Sequence, residues 1–169
     1  RHMIYAVSMA VAVGEELGMA KDEIIRGVRF YEPAGSRMRV VKLSDGRRLL
    51  DDCYNANPQS MGASLRVLAG SEGKKIAVLG DMAELGELTE QSHRAMGKLT
   101  AQLGIDCVIA IGQKARDIAN ANGVKAKWFA DIDSAMDALK EEFTAGSAML
   151  VKASHSMHFE KIVEELTKA

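Results

Sequence analysis
From Arg37 onward the chain alternates between two kinds of segment, and this alternation restricts its fold more than any other feature. Short, continuously apolar runs occur at Ile76–Leu79, Val108–Ile111, Trp128–Phe129 and Met149–Val151. Around them lie apolar residues at helical spacing: Met61/Leu65/Leu68, Met96/Leu99/Leu103, Ile118 with its alanines, Met136/Leu139/Phe143 and Phe159/Ile162/Leu166. A strand that is apolar on both sides must be covered on both sides, and an intervening helix carries the chain back for parallel pairing. The expected class is therefore α/β: an open, mostly parallel sheet with helices on both faces. Met38–Leu43 and Arg47–Asp51 flank Ser44-Asp45-Gly46. An Asp-Gly step between two apolar segments predicts an initial β-hairpin.

Upstream the character differs. Residues 3–19 place Ile4, Val7 and Val11 on one helical face, with Glu15 and Glu16 closing a polar end. A second short helix is predicted over Asp22–Phe30, with Ile24, Ile25 and Val28 inward. Pro33-Ala34-Gly35-Ser36 breaks this pattern and divides the chain into a helical segment, 1–32, and a main domain, 33–169. A length of 169 residues suits one domain plus a fragment of another. The opening Arg1-His2-Met3, running straight into an apolar pattern, reads as a cut inside a longer protein or as the scar of an expression tag.

Composition narrows the partners. With 47% hydrophobic residues, 27% charged residues and a net charge of −1, nothing draws the chain to nucleic acid or an anionic membrane. No signal peptide or membrane-spanning run is present. Cys53 and Cys107 stand outside any CxxC or Cys/His pattern and read as reduced cytoplasmic thiols rather than a disulfide or a zinc site.

In open α/β sheets ligands bind where the carboxyl ends of the strands lead into helices, which directs attention to these turns. In Asp51-Asp52-Cys53-Tyr54-Asn55-Ala56-Asn57-Pro58, Asn57 fits a helix N-cap and Pro58 a first helical turn. Asp52 there could accept from ribose hydroxyls or help hold a metal; the plainer alternative is a solvated strand end. Gly80-Asp81-Met82-Ala83-Glu84-Leu85-Gly86-Glu87 is neither a dinucleotide fingerprint nor a phosphate loop, and the chain has no GxxxxGK[ST] anywhere. Asp81 and Glu84 could face a cationic group or simply be solvated acids. Lys152-Ala153-Ser154-His155-Ser156-Met157 gathers a lysine, two hydroxyls and an imidazole suited to an anion. Its alternative is a serine N-cap with Lys152 and His155 exposed. Arg37, where the linker meets the first strand, could bind phosphate or ribose on domain closure, or be an ordinary surface charge. His93 and His158 read as surface side chains, and Trp128 as core.

Taken in order, these segments resemble the Mur ligase family, most closely its branch adding a D-alanyl-D-alanine dipeptide. The matching stretches are Asp51 to Met61 and Val78 to Gly86, with His93 at the family's distance beyond, and Leu150 to Met157. The likeness covers essentially the whole chain, His2 to Gly18 resembling the last helices of the family's central ATPase domain. Two positions depart from the pattern. The family commonly has Lys-Gly-Ser-Arg-Ser where Lys152-Ala153-Ser154-His155-Ser156 stands, and a serine where Cys53 stands.

The resemblance implies a three-domain enzyme in which an N-terminal domain takes the UDP substrate, a central domain holds ATP, and a Rossmann-like C-terminal domain closes onto the nucleotide. The whole enzyme would be an ATP- and Mg2+-dependent amide ligase of peptidoglycan precursor synthesis. It would activate the carboxylate of UDP-N-acetylmuramoyl-tripeptide as an acyl phosphate, which the amine of D-Ala-D-Ala then attacks. By the same resemblance Arg37 would meet ATP phosphate or ribose, and Asp52 the ribose hydroxyls. Tyr54, Asn55 and Asn57 would line the nucleotide side. Asp81, Glu84, Lys152, Ser154, His155 and Ser156 would face the amino component or reacting phosphate, Lys152 and Ser154 being the catalytic candidates. No residue is expected to ligate a metal, and residues 1–169 alone are expected to be inactive. Two alternatives stand beside this reading: another amide ligase of the superfamily, polyglutamate-adding ones included, or a freestanding nucleotide-binding regulatory module.

Overall fold
The computed structural model describes residues 3–31, 36–123 and 125–168. The chain divides into two compact units, Arg1–Ala34 and Gly35–Ala169. Most of the linker expected at Pro33–Ser36 lies outside the described residues.

The first unit is two helices, α1 (Met3–Glu16) and α2 (Lys21–Arg29). Helix α1 stops short of the expected residue 19 because Gly18 turns left-handed at φ 72°, its amide bonding the Glu15 carbonyl. At the start of α2 the Glu23 carboxylate accepts from the Ala20 amide, 2.9 Å away. Ile24 and Val28 are half-buried, whereas Ile25, expected inward, is exposed. A lone helix pair has too little surface to cover every apolar side chain it carries.

The second unit carries β1 (Arg39–Lys42), β2 (Arg48–Asp51), α3 (Pro58–Ala69), β3 (Lys75–Gly80), α4 (Thr89–Gln102) and β4 (Cys107–Ile111). It continues with α5 (Arg116–Asn122), β5 (Ala126–Phe129), α6 (Ile132–Glu142), β6 (Ala148–Lys152) and α7 (Glu160–Thr167). The six strands form one sheet in the order β1-β2-β6-β3-β4-β5. The predicted hairpin, β1–β2, is the antiparallel pair, and Gly46 in its turn takes φ 82°. Every other pairing is parallel. This is the open, mostly parallel α/β architecture that the apolar runs predict.

Side-chain alternation splits the core into two layers. Ile76, Val78, Ile109, Ile111, Met149 and Val151 meet α6 and α7 through Leu139, Phe143, Phe159 and Ile162. Ala77, Leu79, Val108, Ala110, Ala148 and Leu150 meet α3, α4 and α5 through Met61, Leu65, Met96 and Ile118. Helices α4 and α5 come so close at Gly97 that a Cβ there would run into the Ile118 carbonyl. Opposite the strands' carboxyl ends, Glu142 accepts from Lys127 Nζ at 2.9 Å and Lys74 Nζ at 2.6 Å. These two ammonium groups, Lys127 foremost, bring its carboxyl down to about 2.

Two outcomes follow for the fold. Gly97→Ala loses about 1–3 kcal/mol of stability from overpacking despite alanine's better helix propensity, which urea unfolding followed by circular dichroism measures. Because the Glu142 carboxyl is lowered in the folded chain, its contribution is complete above the ordinary carboxylate value and drains as pH falls toward about 2. The melting temperatures of the parent and Glu142→Gln should therefore differ at pH 7, draw together as pH falls below the ordinary carboxylate value, and meet only near pH 2.

Candidate functional site at the carboxyl ends of β2, β6 and β3
Strand β6 leads into α7 on one face of the sheet, while its neighbours β2 and β3 lead into α3 and α4 on the other. Chains that part in this way leave a crevice at the strand ends, the usual ligand position in open α/β sheets. The turn after β6 is its centre.

Register decides what meets there. Asp51 lies beside Val151, so the next residues, Asp52 and Lys152, share the α3 side of the sheet. The Lys152 side chain is only 2% exposed, and its Nζ reaches Asp52 Oδ2 at 2.7 Å, the Asn55 carbonyl at 2.8 Å and the Asp52 carbonyl at 3.4 Å. An ammonium has three hydrogens, and all three are engaged within the protein. Asp52 Oδ2 also accepts from Ser64 Oγ of α3 at 2.6 Å, and Oδ1 from the Met38 amide at 3.0 Å. The pair thus fixes β6, the β2–α3 turn, α3 and the strand entry carrying Arg37. Asp51, on the opposite side of the sheet, is buried and accepts from Arg39 Nη2 at 3.2 Å and from the Cys53 thiol at 3.1 Å. Burial first, then Asp51, pushes that thiol up to about 12, so Cys53 is a packing group rather than a nucleophile.

The β2–α3 turn is organised from within. Asn57 caps α3, its Oδ1 accepting from the Ser60 amide at 2.8 Å, while Asn55 Oδ1 accepts from the Ala56 amide at 2.8 Å. Tyr54 is left 45% exposed, with the Arg37 guanidinium 4.2 Å from its ring centroid and the His155 ring 5.7 Å away. Arg37, Tyr54, Asn55, Asn57, His155 and Ser156 are exposed polar residues around the buried pair.

The β3–α4 turn is tied to both neighbouring turns. Ser154, itself buried, donates its amide to the Asp81 carbonyl at 3.0 Å and accepts from the Ala83 amide at 2.8 Å. Asp81 Oδ1 accepts from the Ala115 amide at 2.7 Å, and Gly112 with φ 112° is the residue that leaves room for that carboxylate. Beyond it, Trp128 is half-buried, donates to the Gly112 carbonyl at 2.8 Å and carries the Arg116 guanidinium 5.1 Å from its ring. Met82 is buried, and its amide donates to His93 Nε2 at 2.9 Å. Glu84 projects from the turn, exposed and left-handed at φ 60°.

Residues 36–155, which contain this cluster apart from Ser156, match the family described as Mur ligase, glutamate ligase domain. The chain belongs to the Mur ligase family. It is 35% identical over 168 residues to the UDP-N-acetylmuramoyl-tripeptide–D-alanyl-D-alanine ligase of Escherichia coli K12, covering 98% of this chain and 37% of that protein. It superposes with TM-score 0.90 and 29% identity on a crystal structure of MurF from Acinetobacter baumannii, over 100% of this chain and 38% of that one. MurF from Thermotoga maritima in complex with ADP aligns with TM-score 0.76 and 27% identity, over 91% of this chain and 35% of that one. The chain thus spans well under half the length of the curated relatives it matches.

Within this Mur ligase domain the residues singled out in the sequence fall into two groups. Arg37, Tyr54, Glu84, His155 and Ser156 are exposed. Lys152, Ser154, Asn55, Asn57 and Asp81 have side-chain atoms spent on internal bonds, Asn55 and Asn57 while exposed, and Asp52 keeps 15% of its side chain exposed. Lys152 is not the exposed lysine that one sequence alternative allows. His158 is a surface side chain as read, its Nδ1 3.0 Å from Glu160 Oε1. His93 corrects the sequence reading: it is fully buried. A signal for it existed in the spacing, since His93, Met96, Gly97 and Thr100 follow the i, i+3, i+4, i+7 pattern of the inner stripe of α4.

Removing either half of the buried pair tests this arrangement. Asp52→Asn leaves the Lys152 ammonium buried without its counter-charge and costs about 3–5 kcal/mol. Lys152→Met costs less, because Asp52 keeps partial exposure and two donors. Equal losses by urea titration of the two variants would show that the charge on Lys152 is not the limiting term.

Proposed function
We propose that the chain is the C-terminal part of an ATP-dependent amide ligase that joins D-alanyl-D-alanine to UDP-N-acetylmuramoyl-tripeptide in peptidoglycan precursor synthesis. The observation that carries this reading is the alignment of essentially all of the chain with ligases of that name, including one at 35% identity. Supporting it is the position of the polar cluster at a crevice that the strand order creates. Residues 1–32 are then the end of the central ATPase domain, and 33–169 the domain that closes on it. Cell-wall synthesis, and through it cell shape and division, is the process served, and its nucleotide substrates place it in the cytoplasm. No described helix is long and apolar enough to cross a membrane.

The two groups of residues take different roles. Arg37, with one face on Tyr54 and its edge exposed, is suited to an ATP phosphate or ribose, and Asp52 Oδ1 has a lone pair left for one ribose hydroxyl. Asn55 and Asn57 build the turn that presents Tyr54. Glu84, His155 and Ser156 face the incoming dipeptide, with Asp81 and Ser154 holding their turns together. Lys152 acts through Asp52 and Asn55 rather than on substrate. Among the described residues no group of three or more His, Cys, Asp or Glu is placed to hold a metal, and Mg2+ is assigned to the central domain. Closure of such a domain excludes water from an activated carboxylate, which makes residues 33–169 necessary and, by themselves, insufficient.

The intact enzyme should release phosphate from ATP only when UDP-N-acetylmuramoyl-tripeptide and D-Ala-D-Ala are both present. Release with glutamate in place of the dipeptide would refute the assignment. Arg37→Ala should raise the KM for ATP roughly 10- to 100-fold, as expected for a lost charge-assisted contact.

A further inference from the structure
The geometry points to His93 as a positioning residue that holds the β3–α4 turn in the shape needed to receive the amino component. This rests on the reading above that Glu84 and its turn face the dipeptide. Three neighbouring residues anchor the start of that turn. Asp81 is held by the Ser154 and Ala115 amides, and Ala83 by the Ser154 hydroxyl. Met82, between them, is held by His93 alone among side chains, its amide donating to Nε2 at 2.9 Å. The other ring nitrogen, Nδ1, lies 2.7 Å from the Thr89 carbonyl. A carbonyl only accepts and an amide N–H only donates, so Nε2 carries the lone pair and Nδ1 the proton. The ring is thereby fixed as one neutral tautomer, with no exposed edge.

The turn needs such an anchor. Glu84 stands at φ 60° and Gly86 at φ 52°, and a side-chain-bearing residue stays left-handed only where its surroundings dictate it. From Glu84 to Thr89 the internal bonds include Leu88 amide to Leu85 carbonyl, 3.0 Å, Thr89 amide to Gly86 carbonyl, and Thr89 Oγ1 to the same carbonyl, 2.7 Å. These close the downstream side. The upstream side depends on Met82 and Ala83, so the direction in which Glu84 projects is set through His93 and Ser154. His93 touches no substrate in this scheme; it acts through the Met82 amide.

The test uses two variants of the intact ligase, two measurements on the unmutated 169-residue chain, and hydrogen exchange on the His93→Phe variant. Phenylalanine fills the volume of His93 without an acceptor, whereas Gln can place Oε1 where Nε2 accepts. His93→Phe should raise the KM for D-Ala-D-Ala roughly tenfold, with the KM for ATP within about twofold, and His93→Gln should recover most of the dipeptide affinity. In the chain itself, 15N NMR should find the His93 proton on Nδ1, and hydrogen exchange should find the Met82 amide protected. A proton on Nε2, or an unprotected Met82 amide, overturns the tether without recourse to any variant. Loss of Met82 protection in His93→Phe with an unchanged dipeptide KM overturns instead the assignment of this turn to the dipeptide.

Discussion
A lysine ammonium taken out of water at the end of a parallel strand is tolerable only if every one of its hydrogens finds an oxygen and at least one of those oxygens is charged. Lys152 meets that condition with Asp52 and the Asn55 carbonyl, and in doing so determines the path of three separate stretches of chain. The β2–α3 turn must fold so that the Asn55 carbonyl points inward. Helix α3 must bring Ser64 within reach of the same carboxylate, and the Met38 amide must close on its other oxygen. Met38 takes a left-handed φ of 52° there, which places Arg37 next to Tyr54. The exposed cation–aromatic pair is therefore a consequence of the buried ion pair.

The sheet order explains why this pair sits where it does. Strand β6 is last in sequence but central in space, inserted between β2 and β3. The crossover from β2 to β3 through α3 runs over the place β6 will take, and α6 returns the chain on the other face. The carboxyl end of β6 consequently has a departing helix of the opposite face on either side. Lys152 answers to β2 through Asp52, and Ser154, two residues on, answers to β3 through Asp81 and Ala83. Ala153 between them points to the α7 layer and packs into the core. Alternation along a single strand end thus distributes one contact to each neighbour.

Much of this was legible in the sequence, and the part that was not has a common cause. The hairpin at Asp45-Gly46, the apolar strand runs and the Asn57-Pro58 helix start all rest on neighbours within a few residues, where period and turn chemistry act. The family motifs fall on the turns that follow β2, β3 and β6. The burial of Lys152 is decided by a carboxylate 100 residues away, and Ser154 is engaged by an amide 71 residues away. Nothing local distinguishes a lysine that will find such a partner from one that stays in solvent. His93 differs: its place on the inner stripe of α4 was readable, but a histidine is buried only where both ring nitrogens are satisfied, and that depended on the turn before α4. Ile25 failed in the other direction, since an amphipathic pattern states which face is apolar and leaves open what covers it.

The division between engaged and exposed polar groups bears on how such a domain works. Groups whose hydrogen bonds are already complete, such as Lys152 and His93, cannot reorient toward a ligand without leaving a buried partner unsatisfied. Those that remain exposed, Arg37, Tyr54, Glu84, His155 and Ser156, sit on turns held by the first set. A ligand arriving at these turns therefore meets side chains whose backbones need little further ordering, so less of its binding energy is spent on ordering them. On the proposed function, this arrangement suits a domain that closes and reopens in each turnover, because closure then moves a preformed surface as one piece instead of assembling it.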